Sequence, residues 1–339
     1  MHPRAILLFF LLVSLLGHSQ IGGRFAYQFL NLVSSPRQAA LGGKNLTNFD
    51  YDVTQPLLNP ASINIEMDNQ LALNYVNYLG DVAYGSAAYA YAIDGREKVF
   101  HVGLTYVGYG NFDGYDEFGN PTGEFTGNEI AFSVGYAFNI PWSDFYVGAN
   151  AKLISSSLEQ YNSFGGAVDV GIFYKNDDLR FNAALVARNL GTQFSTYAGV
   201  NEPLPLAIDL GLSQELEHVP IRWHITLENL QYWNSAFSNP NRAEQSLDGT
   251  ETQESVNFAK ELIRHTIIGA ELFPRSGFNI RVGYNFRRGE ELKIVDQRNF
   301  SGLSAGFAIK MNKLRFQYTY ARYSVASNSS FFGVMLNLN

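Results

Sequence analysis

Cysteine is absent from the 339 residues. That excludes a disulfide framework, thiolate metal sites, thiol catalysis and a lipid anchor on an N-terminal cysteine. Charge is also scarce, with Asp, Glu, Lys and Arg making up 16% against roughly 25% in soluble domains. The balance is acidic, 31 carboxylates to 24 basic residues for a net of -7, so broad attraction to nucleic acid is excluded. Long apolar runs are missing beyond the N-terminus and mean hydropathy is -0.10, which excludes a bundle of apolar membrane helices. Phe (26), Tyr (20) and Gly (31) are plentiful instead. Low charge, many aromatics, many glycines and neutral hydropathy together point to a β-barrel that faces lipid.

Residues 1–19 read as a cleaved secretory signal. Arg4 with His2 forms a short basic start, Ala5–Leu16 is apolar but for Ser14, and Gly17-His18-Ser19 offers small residues for cleavage. Twelve residues fall short of the ~20 that a membrane-spanning helix needs. An exported chain without a transmembrane helix is the expectation.

From about Gln70 the dominant period is two. In Ile221–Glu228 the side chains of Ile221, Trp223, Ile225 and Leu227 take one face, and Arg222, His224, Thr226 and Glu228 the other. Fourteen such segments can be counted, at 70–78, 82–92, 97–108, 128–138, 144–157, 165–174, 179–188, 204–215, 220–229, 264–273, 277–286, 302–310, 313–323 and 328–339. Their usual length is what a tilted strand needs to cross a bilayer. A soluble β-sandwich would alternate in the same way. The export signal argues for the membrane, as do aromatics near strand ends (Tyr109, Trp142, Tyr174, Phe273, Tyr323) and the sorting of connections by parity. Connections after even-numbered strands are short. After odd-numbered ones they run long, at 109–127, 158–164, 189–203, 230–263 and 287–301, the first hairpin excepted. Residues 70–339 are thus expected to form an all-β, antiparallel transmembrane barrel of about fourteen strands.

Residues 20–69 lack the alternation. A barrel of this size leaks unless filled, so a short apolar plug entering from the periplasmic end is expected, with Phe29, Leu30, Leu32 and Leu41 as its apolar members. Lys152, Asp169, Arg222, His224, Glu228, Arg281 and Arg315 fall on polar faces and hence in the lumen. They would form either a polar path or, the preferred reading, neutralising ion pairs that hold the plug. Tyr232, Trp233 and Phe237 open the longest loop as candidate partner contacts or, equally, as rings packed over the barrel mouth. An amphipathic helix with Val256, Ala259, Leu262 and Ile263 on one side is expected within 254–265.

Catalytic and cofactor motifs are not evident. Gly302-Leu303-Ser304-Ala305-Gly306 has the letters of a nucleophile elbow, but it lies in an alternating strand, where no elbow forms. Asp113, Asp116 and Glu117 lack a calcium-loop spacing. No enzyme, metal or cofactor is expected.

Phe29-Leu30-Asn31-Leu32, Ser35-Pro36-Arg37-Gln38-Ala39-Ala40-Leu41-Gly42-Gly43, Asn59-Pro60-Ala61 and, near the C-terminus, Gly306–Lys310 and Tyr318–Tyr323 resemble FadL-like barrels of Bacteroidetes. Among these the chain is most similar to the PorQ family of the type IX secretion system. Terminal Asn339 departs from the aromatic ending common in outer-membrane barrels. The resemblance implies a plugged barrel in the outer membrane and a place in the cell-surface attachment complex. Its partners there would be a PorZ-like surface protein, a PorU-like sortase and a PorV-like barrel, and cargo would be linked to anionic lipopolysaccharide. The alternatives are a FadL-type transporter of hydrophobic solutes, which needs an apolar pocket, and a PorV-like cargo shuttle.

Overall fold

The computed structural model describes residues 25–78, 80–93, 98–233, 244–245, 251–252, 257–291, 301–322 and 328–339. The signal segment, Phe237, Val256 and Tyr323 lie outside the described residues. Fourteen antiparallel strands close into one barrel: β1 (Gln70–Asn77), β2 (Ala83–Ile93), β3 (Lys98–Tyr115), β4 (Pro121–Asn139), β5 (Phe145–Leu158), β6 (Tyr161–Asn176), β7 (Phe181–Ser195), β8 (Ala207–Glu215), β9 (Ile221–Leu227), β10 (Thr266–Leu272), β11 (Phe278–Asn285), β12 (Leu303–Met311), β13 (Leu314–Arg322) and β14 (Asn328–Asn337). Each pairs with its sequence neighbours, and β1 pairs with β14 from Gln70↔Asn337 to Asn77↔Ser330. Closure leaves no open edge, which a bilayer would not tolerate. Among the described residues no helix is long and apolar enough to cross a membrane. Asn339 clasps the seam: its side-chain amide donates to the Asp68 carbonyl and its side-chain oxygen accepts from Asn69.

Polarity is inverted relative to a soluble protein. Leu73, Phe132, Val134, Ile172, Leu185, Ile225, Ile268, Phe307 and Phe332 are exposed on the outer face, whereas Asn150, Asp169, Asp209, Glu271, Asn279 and Arg281 are buried inside. An exposed apolar belt around a whole barrel has one stable solvent, lipid. Trp142, Phe145, Tyr174 and Phe273 gather at the end where the short turns lie. Tyr109, expected among them, instead points inward and donates to Glu129. Ile225, at the centre of β9 and 36% exposed, gives a direct check: Ile225→Arg should lower barrel stability by ~2–4 kcal/mol, measured by urea unfolding in bilayers. An unchanged midpoint would mean that β9 does not face lipid. Thr226, on the opposite face of β9, is only 2% exposed in the filled lumen, so an arginine there should be poorly tolerated as well.

Connection parity is correct only in part. Residues 140–144, 177–180, 216–220, 273–277 and 312–313 are short and define a turn end. At the opposite, loop end, 228–265 and 286–302 are long. The expected loops at 109–127 and 158–164 are instead strand but for the turns at 116–120 and 159–160: β3 and β4 pair out to Tyr115↔Pro121, and β5 and β6 meet at Leu158↔Tyr161. Cross-strand pairs such as Phe112 stacked on Phe125 at 5.3 Å carry the β3–β4 ladder beyond the span a bilayer needs. At its tip the Asp116 carboxylate accepts from Asn120 and from the Phe118 amide, which holds it below the usual carboxylate pKa and closes the turn. Leu204 and Leu206, counted as strand, precede β8, and Leu204 packs inward.

Candidate functional site

The lumen is filled by residues 25–69, which descend from the loop end to the turn end. The Ala26 amide donates to the Pro203 carbonyl at the loop end, whereas Asp50, Tyr51 and Glu66 line the opposite mouth. The described part of this segment thus begins at the loop end and joins β1 at the turn end. A 3-10 turn at Gln28–Asn31 is followed by α1 (Pro36–Ala40), with Pro36 at its first position, where a missing N–H costs nothing. Gly42 and Gly43 stop α1 at φ 95 and 124, the left-handed region that glycine adopts freely. Three further 3-10 turns follow, at Gln55–Leu57, Pro60–Ser62 and Ile65–Met67, two of them capped by the side chains of Asn59 and Asn64.

Phe29 and Leu41 are buried, and Leu30 and Leu32 are half-buried. Phe29, Leu30 and Leu32 lie in an apolar cluster at the loop end with Tyr27, Val33, Val76, Val107, Ile154 and Phe331. Leu41 sits lower, where the wall presents glycine. A β-carbon at Gly269 would stand 3.0 Å from the Leu41 carbonyl oxygen, and one at Gly333 would stand 2.8 Å from Pro36 Cγ. At Gly283 it would overlap the Leu41–Gly42 peptide. These inward glycines let the plug backbone rest on the wall.

Below the apolar cluster lies a buried ion-pair lattice. Arg37, 0% exposed, makes two forks. Nη1 and Nη2 each reach Asp50 at 2.8 Å, while Nε and Nη2 reach Glu271 on β10 at 3.1 and 3.0 Å. Arg281 Nε bonds Glu271 at 2.8 Å and its Nη1 bonds Gln317 at 2.7 Å. Arg222 bonds Glu215 at 3.0 Å and stands 3.5 Å from Asp50. Burial opposes charge on Asp50, but Arg37 outweighs it and holds the Asp50 carboxyl below its ordinary pKa. A second lattice joins Lys44 to Glu228 at 3.0 Å and to Asp209 at 3.4 Å, with Arg188 on Asp209 at 2.9 Å. Lys152 pairs with Asp169 at 2.6 Å. His224 Nδ1 meets Thr47 Oγ1 at 3.3 Å, and Arg315 lies over the Tyr51 ring at 4.1 Å.

All seven lumen residues named from the sequence therefore face inward, in separate groups rather than one site. Arg37, Lys44, Asp50, Arg188, Asp209 and Glu271 were not singled out. Alternation with Ile208 and Leu210 puts Asp209 on the inner face and could have found it, but the plug has no period to read.

Of the loop-end aromatics, Tyr232 and Trp233 pack against neighbours at the barrel mouth. Trp233 is half-buried, stacked on Phe258 at 5.2 Å and on His265 at 5.1 Å, and Tyr232 lies 6.0 Å from Phe25. The expected helix begins later, as α2 (Phe258–Arg264) capped by Asn257, and turns Phe258, Leu262 and Ile263 outward while burying Glu261. A third helix, α3 (Phe286–Glu291), follows β11. Ser304 lies on β12 and its hydroxyl donates to the Ala40 carbonyl at 3.1 Å, so the elbow letters serve to seat the plug. Among the described residues no group of three His, Asp or Glu could hold a metal ion.

Among the described residues the lumen keeps open space. A cavity of about 50 Å³ lies between Phe29–Ser35 and the wall residues Thr105, Ala131 and Ser133. One of about 80 Å³ adjoins Lys44, Glu228 and Arg287. A vestibule of about 710 Å³ opens at the turn end.

No family model and no curated protein matches the sequence. Solved structures do. The toluene transporter TbuX of Ralstonia pickettii is 15% identical, with 90% of this chain and 98% of that one covered and a TM-score of 0.52. A TodX monoaromatic hydrocarbon channel mutant is 13% identical over 91% and 100%, with a TM-score of 0.53. A Pseudomonas aeruginosa FadL homologue is 10% identical over 90% and 98%, with a TM-score of 0.49. The finer likeness to the PorQ family rests on the quoted motifs alone. With strand count, closure and full-length superposition in agreement, the fold is that of the FadL-like transmembrane barrels.

Proposed function

We propose that the chain is a gated outer-membrane conduit for small hydrophobic solutes. One observation carries this reading: the chain's own Ala26, Tyr27, Phe29 and Val33 complete an apolar cluster at the loop end of the lumen, beside a small cavity of mixed apolar and polar lining at Phe29 and Ala131. An apolar solute that displaces this segment exchanges like for like, so the exchange is nearly neutral in burial. Below the cluster the ion-pair lattice keeps the plug seated against leakage. The fold shared with a toluene transporter and a monoaromatic hydrocarbon channel supports the reading.

Docking within a type IX attachment complex is a second proposal. It is favoured by Tyr115 (64% exposed) and Phe118 (81% exposed) on the long β3–β4 hairpin, since exposed aromatics suit a PorZ-like contact. One variant separates the two. Ala131→Phe fills the cavity from the wall side. Uptake of a labelled monoaromatic hydrocarbon, by cells lacking other hydrocarbon channels, should fall about ten-fold, in line with a pocket overfilled by ~1–3 kcal/mol. Surface attachment of cargo should be unchanged. If cells take up the hydrocarbon equally with and without the chain, the conduit reading fails.

A further inference from the structure

The turn-end vestibule runs against the charge of the chain. Overall the protein carries -7, yet Arg180, Lys310 and Arg315 line this space with no carboxylate in ion-pair distance among the described residues. Other cations there are satisfied: Arg275 pairs with Glu215 at 2.8 Å and Lys175 with Asp177 at 2.5 Å. Glu66 is the one lining carboxylate left without a cation among the described residues. The surplus is therefore positive, in a concave space where low-dielectric walls strengthen its field.

Arg315 makes the surplus specific. It is 8% exposed and its guanidinium is braced by the Tyr51 ring at 4.1 Å, yet Nη1 has no hydrogen-bond partner. Across the same vestibule Ser213, 1% exposed, also has its hydroxyl unmatched. A buried guanidinium nitrogen without an acceptor is destabilising, and the acceptor it suits is a planar or tetrahedral oxyanion. The space, about 710 Å³, admits such a group together with an organic body.

We propose that this vestibule is an oxyanion site, in which Arg315 holds the phosphate or carboxylate of a small solute on the periplasmic side of the plug and Lys310 and Arg180, lining the same space, add to the positive field that draws it in. The site does not depend on hydrocarbon uptake, and either can hold without the other.

The test is calorimetric titration of the full mature chain, in uncharged detergent and low-salt buffer, with inorganic phosphate and separately with citrate. Saturable binding of either probe is expected, and the tighter one identifies the group. Arg315→Gln should weaken it at least about ten-fold and Arg315→Lys less, because the fork is lost but not the charge. Lys310→Gln, on an exposed side chain with no packing role, should weaken binding several-fold in a barrel that keeps its heat-modifiable migration. Lys313→Gln, exposed at the same end but not lining the vestibule, should bind as wild type. The proposal is overturned if neither probe binds saturably, if Lys310→Gln and Arg315→Gln both bind as wild type, or if Lys313→Gln loses as much as they do.

Discussion

Replacing Arg37 with methionine should open the barrel. In planar bilayers the wild-type chain should sit closed, and Arg37→Met should conduct steadily, with its plug newly cleavable by protease from the turn end. Arg37 is 0% exposed, forks both Asp50 of the plug and Glu271 of the wall, and stands 3.5 Å from Asp52. Removing one partner of a buried ion pair leaves the other charged and desolvated, at about 3–5 kcal/mol. Glu271 keeps Arg281 at 2.8 Å and Arg222 at 3.6 Å, and Asp50 keeps Arg222 at 3.5 Å in place of its fork, so the strain falls mainly on Asp52 and on the half-satisfied Asp50. At the lower figure the closed-to-open ratio still falls by about a hundred-fold. Lys175→Met is the control, since Lys175 pairs with an Asp177 that is 81% exposed and such pairs contribute ~0–1 kcal/mol. If both variants stay closed and protease-resistant, the lattice is not what seats the plug.

Much of the barrel was legible because a period of two is a local signal. Phe278, Ile280 and Val282 alternate with Asn279, Arg281 and Gly283, and the strand they form faces lipid and lumen in that order. The same alternation named Arg222, His224 and Arg281 as lumen residues. Their partners were not legible. Arg37 and Glu271 are 234 positions apart, and only closure of the barrel around the plug brings them together. Strand ends were misjudged where apolar patterning stops before hydrogen bonding does, as in β3, which continues through Asn111 and Asp113. Whether Trp233 is a free contact or packs over the mouth is not legible locally, because nothing near it in sequence announces that His265 and Phe258 will cover its faces.

Glycine abundance was visible in the composition, but its purpose was not. A glycine on a strand reads as a small residue on either face. The wall shows which ones matter: Gly269, Gly283 and Gly333 face inward, and α1 and its exit lie on them. Gly283→Val should therefore unseat the plug even with every ion-pair residue intact. Its β-carbon would occupy the place of the Leu41–Gly42 peptide, and neither backbone can yield without breaking β11 pairing or displacing α1. Overpacking of this kind costs ~1–3 kcal/mol where neighbours can shift, and here the neighbours are backbone, so at least the upper figure is expected. The barrel itself should still assemble, because Gly283 contributes its ladder hydrogen bonds through backbone that valine also has, and valine favours strands. Gly277→Ala provides the contrast: its nearest neighbours are at 3.9 Å, so it should behave as wild type. The readout is steady conductance together with heat-modifiable migration. Conductance without loss of the folded band would mean that the wall glycines seat the plug, whereas a closed, stable Gly283→Val barrel would mean that α1 does not rest where the backbone places it.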